Sequence, residues 1–143
     1  MKRKVASTGL TVGTALGSAA LMYQLYPASM VFISMAALIA HEYGHYLAAL
    51  MHDGAPDHPV FIPLIIGSIG LTRVRNLPNL PARTKRYIIL AGPTAGAMSA
   101  LFMLPFAIMS GNPVLLWGVL LAMAWEIYNG TLGSDGKRWK EAT

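Results

Sequence analysis

The chain has 143 residues, 55% hydrophobic and 12% charged, whereas a soluble globular domain carries roughly 25% charged residues. A mean hydropathy of +0.49 agrees with a membrane protein, and at about 20 apolar residues per helical span the length holds about four spans and no second soluble domain. With no cysteine, a disulfide framework, a thiolate-ligated zinc or iron–sulfur site and a thiol nucleophile are all excluded. Any metal must be held by His, Asp, Glu or Asn. The net charge of +5 reads as membrane orientation and requires no nucleic acid.

The expected fold is an all-α integral membrane protein, a single unit over 1–143. In chain order, apolar spans run over about 5–25, 30–51, 87–109 and 114–128, with a membrane-associated loop over 60–72. Pro27 separates the first pair, and Ser110-Gly111-Asn112-Pro113 the second, so each pair reads as a helical hairpin. In the first span Gly9, Gly13 and Gly17 recur every four residues, a face on which another helix can approach closely. All 11 basic residues fall at Lys2 to Lys4, in the middle loop from Arg73 to Arg86, or in the tail from Lys137 to Lys140. The positive-inside rule then places both termini and the middle loop in the cytoplasm, in a multi-pass protein of the cell membrane.

The second span contains His41-Glu42-Tyr43-Gly44-His45. Residues four apart share a helix face with Cβ atoms about 5 to 6 Å apart, so two imidazoles can ligate one zinc ion. Glu42 projects about 100° away from His41, where it reaches a water beside the metal and acts as general base. Each ionisable group costs about 2 to 3 kcal/mol or more in a bilayer core, so three within one turn require partners or a water-filled cavity. His41 lies about 16 Å into its span, near mid-bilayer, and hydrolysis there requires a polar channel from the cytoplasm.

A catalytic zinc takes three protein ligands and leaves one position open. His52 follows His45 by seven residues and lies about 10 Å further along the helix axis, too far to close the shell. Asp53, Asp57 and His58 fall in a Gly- and Pro-containing loop, where capping or solvation suits them better. Glu126, inside the fourth span, and Asp135, in Gly133-Ser134-Asp135-Gly136, remain evenly matched on residue chemistry.

Beyond the bare motif, the segment from His41 to Leu50 carries Gly44 and Ala49; Phe61-Ile62-Pro63 is followed by Gly67 and Gly70; Leu90-Ala91-Gly92-Pro93 by Gly96; and Asn129 by Asp135-Gly136. These four ordered elements resemble the signatures of the site-2 protease family, the intramembrane zinc metalloproteases. The resemblance implies His41, His45 and Asp135 as ligands of Zn2+ and Glu42 as catalytic base. It departs from the family in the stretch from Asn129 to Asp135, which is short and lacks proline.

Residues Phe61 to Leu71 are apolar but too short to cross a bilayer, so they enter and leave on one side as a re-entrant loop or β-hairpin. An exposed strand edge there, near Gly67 and Gly70, can receive an unwound substrate segment by β-augmentation. Asn129 is assigned to substrate backbone. The expected function is hydrolysis of peptide bonds in or near transmembrane segments, in regulated intramembrane proteolysis. The alternative is a metal-binding membrane protein without proteolysis, either a transporter or an inactive substrate-binding relative. Expected partners are the lipid bilayer and a transmembrane protein or peptide substrate, with a homo-oligomer left open.

Overall fold

The computed structural model describes residues 8–64 and 67–142. Lys2, Arg3 and Lys4, the start of the first expected span, and Ile65 and Ile66 lie outside the described residues. Two helices come first, α1 (Thr8–Tyr23) and α2 (Ala28–Met51). A two-stranded antiparallel sheet follows, β1 (Val60–Leu64) and β2 (Gly67–Leu71), then a 3-10 turn (Leu77–Asn79) and three more helices. These are α3 (Ala82–Ser110), α4 (Pro113–Thr131) and α5 (Ser134–Glu141). The protein is therefore mostly helical, with the small hairpin where the sequence places it.

Two stretches are long and apolar enough to cross a membrane, Ala82–Ser110 and Pro113–Glu141. The first two expected spans do not reach that measure. Sixteen residues of α1 are described, and His41, Glu42 and His45 dilute the apolar content of α2. The third span begins earlier than expected, because Pro81 sets extended backbone just before α3 and Arg83, Lys85 and Arg86 join its first turns. The fourth extends past 128 to Thr131.

The α3–α4 turn follows from its residues. Gly111 ends α3 in the left-handed region at φ 62°, a conformation that favours glycine. Asn112 caps α4 by accepting from the amides of Val114 (3.0 Å) and Leu115 (3.4 Å), with Pro113 at the first helical position.

Three apolar clusters hold the helices together: Met22, Val31 and Met35 between α1 and α2; Ile33, Ala107 and Val119 among α2, α3 and α4; and Ala48, Ala49 and Ile88 between α2 and α3. Outside them Phe32, Phe102, Phe106, Met109, Trp117 and Trp125 are all more than half exposed. So much large apolar surface is out of place in water.

The expected packing role of the Gly9, Gly13, Gly17 face is not borne out, since a Cβ at Gly13 or Gly17 would meet nothing within 4 Å. Instead α1 buries Thr11, Ser18 and Met22 and packs against the hairpin. There the Phe61 amide donates to Thr14 Oγ1 at 3.2 Å. That bond points away from β2, while Pro59 and Pro63 on either side have no amide hydrogen, so α1 and the two prolines close the outer edge of β1. Phe61 faces Gly70 across the sheet and Pro63 faces Ser68. By antiparallel alternation Gly70 and Ser68 point their backbone groups away from β1, which leaves β2 with the unpaired edge.

Candidate metal centre

His41, His45 and Asp135 converge from α2 and α5 with one ligand atom each, all within 4.8 Å of one another. The two Nε2 atoms are 3.2 Å apart, and Asp135 Oδ2 lies 3.1 Å from that of His41 and 3.4 Å from that of His45. His41 and Asp135 are buried. This group could hold a metal ion.

The arrangement of protons supports that fit. His45 Nδ1 is 2.9 Å from the carbonyl oxygen of Ile88, which only accepts, so Nδ1 carries the proton. His41 Nδ1 is 2.6 Å from Glu126 Oε2 and donates to that carboxylate in the same way. With each Nδ1 so engaged, both Nε2 atoms face each other and the Asp135 oxygen at 3.1–3.4 Å, a cluster of nitrogen and oxygen ligand atoms that a shared cation would hold together. Two imidazoles and a carboxylate are a donor set suited to zinc.

Glu126, which residue chemistry alone left level with Asp135, is thus placed behind His41 rather than in the converging group. It is a buried carboxylate orienting a ligand histidine, the arrangement that fixes tautomer and ring direction in metal sites. Asp135 reaches the centre by a different route from the flexible loop expected of Gly-Ser-Asp-Gly. The amides of Leu132 and Gly133 both bond to the Tyr128 carbonyl, at 2.8 and 2.7 Å, ending α4; α5 starts at once and carries Asp135 in its first turn. Gly136 is packed so closely on Thr131 that a Cβ there would overlap the Thr131 backbone. A glycine directly after Asp135 is what this fold-back requires.

Glu42 is buried beside the group, and Thr72, just past β2, donates its hydroxyl to Glu42 Oε2 at 2.7 Å. Thr72 was not singled out from the sequence, and nothing in its surroundings there marks it. A Cβ at Gly70 would lie 2.6 Å from Glu42 Oε1, so β2 runs directly against the carboxylate. Other glycines make room in the same manner. A Cβ at Gly92 would overlap the His45 ring, one at Gly96 the Glu126 carboxylate, and one at Gly44 the Ala91 carbonyl. Every one of the four elements noted in the sequence contributes a glycine to this packing.

The remaining candidates lie elsewhere. Asn129 sits at the end of α4, where a Cβ on Gly133 would contact its Oδ1. Gly67 opens β2 opposite Leu64. His52 meets the edge of Tyr87, and His58 stacks on Tyr46 at 5.0 Å. Asp57 pairs with Arg75 through both Nε and Nη2, which raises the Arg75 pKa above its ordinary value, and its amide bonds to the Arg73 carbonyl. This loop is held by its own contacts and supplies no ligand. Comparison with protein-family models, with curated proteins and with solved structures found no match.

Proposed function

We propose that the chain is an intramembrane zinc metalloendopeptidase of the site-2 protease type, cutting peptide bonds in or near transmembrane segments of membrane-protein substrates. The observation that carries this reading is the convergence of His41, His45 and Asp135 with Glu42 held beside them. Zinc on these three residues would supply a Lewis acid for the scissile carbonyl and lower the pKa of an adjacent water.

The protein's own residues account for the remainder. Thr72 occupies Oε2 of Glu42, so Oε1, over Gly70, is the atom that takes the proton of the attacking water and returns it to the leaving amine. Glu126 and the Ile88 carbonyl hold the two imidazoles in one tautomer. A peptide bond inside a helix is shielded by its own hydrogen bonds and must be unwound first. The free edge of β2 offers backbone partners for the unwound segment, and because Gly70 has no side chain, a strand added there lies against Glu42. Asn129, at the end of α4, is assigned to substrate backbone.

The fuller membrane reading belongs to the same proposal: four spans in the cell membrane, both termini cytoplasmic. It is supported by the meeting of two of the basic regions, the middle loop and the tail, where Arg86 lies 5.3 Å over the Trp139 ring and donates to the Ala142 carbonyl at 3.0 Å. A transporter would use a second cluster of intramembrane ligands, and among the described residues there is none.

Elemental analysis of the purified chain, together with Glu42→Gln, tests the function. Wild type should hold about one equivalent of zinc and cut a model transmembrane peptide in detergent micelles; Glu42→Gln should keep the zinc and lose the cutting. Less than about half an equivalent with both histidines intact, or cutting undiminished in Glu42→Gln, would refute the reading.

A further inference from the structure

A cavity of about 260 Å³ opens directly beside the metal centre, with His45 and Asp135 in its wall. Its other walls differ sharply in character. Val74, Ile88 and their neighbours are apolar, whereas Arg73 and Arg138 bring two guanidinium groups, one from the segment after β2 and one from α5. Both arginines are exposed, and neither makes an ion pair among the described residues, where Arg75 close by is already taken by Asp57. Arg73 follows Thr72, the residue that holds Glu42, so a strand laid along the free edge of β2 runs past the catalytic carboxylate and into this cavity.

We propose that this cavity is a specificity subsite for an acidic side chain, Glu above all, next to the scissile bond of the peptide substrate. The apolar wall takes the methylene stem, and the two guanidinium groups take the carboxylate in charge-assisted hydrogen bonds. Two arginines without an ion-pair partner among the described residues, at the mouth of the cavity, also bias it towards anionic segments and against basic ones. The proposal rests on the peptidase reading for the word substrate, but the anion site itself does not.

The test uses the full zinc-loaded chain carrying Glu42→Gln, in phosphatidylcholine–detergent micelles, and labelled apolar ten-residue peptides with Glu, Gln or Lys at the central position. Fluorescence anisotropy should show the Glu peptide bound about tenfold tighter than the Gln peptide, and the Lys peptide weakest. Arg73→Gln and Arg138→Gln should each remove most of that preference, and Arg138→Glu should turn it towards Lys. Equal binding of the three peptides, or a preference that the arginine variants leave intact, would overturn the proposal. So would loss of the preference when a small fraction of phosphatidylglycerol replaces phosphatidylcholine, since that assigns the arginines to a lipid phosphate. Cleavage by wild type with no dependence on peptide charge would defeat the subsite alone. Charge-dependent binding with no cleavage by wild type would defeat the peptidase reading and uphold the subsite.

Discussion

Removing the Glu126 carboxylate tests the division of labour at the centre more directly than removing any ligand. Glu126 is 3% exposed and bonds His41 Nδ1 at 2.6 Å, while Gly96 leaves the room its carboxylate fills. In Glu126→Ala the ring loses the contact that orients it and the negative charge that makes Nε2 a better donor. A hydrogen bond to a charged partner contributes about 1.5 to 3 kcal/mol, which converts to a weakening of zinc affinity of about 10- to 150-fold; outer partners of ligand histidines fall in that range. Glu126→Gln keeps an acceptor of the same shape and loses only the charge, so its loss should be nearer tenfold. Competition against a chelator of known affinity, in micelles, reads these values, and far-ultraviolet circular dichroism confirms that the helices persist. The reasoning fails if Glu126→Ala binds zinc as wild type does. It fails equally if Glu126→Ala abolishes binding while Asp135→Ala spares it, because Glu126 would then be the ligand and Asp135 the support.

Gly92→Ala places a methyl group in the His45 ring, which the Ile88 carbonyl holds from the other side; overpacking of this kind costs about 1 to 3 kcal/mol, and zinc content should fall with the helical signal retained. Thr72→Val removes the donor to Glu42 Oε2 without changing the side chain's shape. It should leave zinc content unchanged and lower the rate of peptide cleavage by about tenfold to a hundredfold, with a rise in KM no larger than that. Unchanged cleavage by Thr72→Val would show that Glu42 needs no such support.

The two helical hairpins and the β-hairpin were legible because each has a local cause, whereas the start of α3 at Pro81 and the whole of α5 were not. Pro27 and the Gly111-Asn112-Pro113 turn punctuate long apolar runs, and short-range sterics and capping decide where a helix stops. The run from Phe61 to Leu71 was too short to cross and so had to turn back. The glycine face of α1 misled for the converse reason. A spacing of four marks a face on which a helix can approach, but whether one arrives depends on partners distant in sequence, and here the hairpin takes the opposite side through Thr14 and Met22.

The centre itself divides along the same line. His41, Glu42 and His45 lie within one turn, so helix geometry alone places them together. The choice between Glu126 and Asp135 was a question about two carboxylates whose positions depend on how α4 ends, and no periodicity states that a helix will stop at Thr131 and restart at Ser134. What decides it is steric: Gly136 against Thr131, and Gly133 against Asn129, permit a reversal in which α5 turns Asp135 towards the imidazoles. Glu126, fixed on α4 a short way before that reversal, then has the far nitrogen of His41 as its partner. A buried carboxylate in an apolar helix must be paired, and here its partner is His41 Nδ1, which places it behind the candidate metal group and not within it. The sequence therefore specifies the place of Asp135 in the candidate metal centre less through the Asp than through the two glycines that flank it.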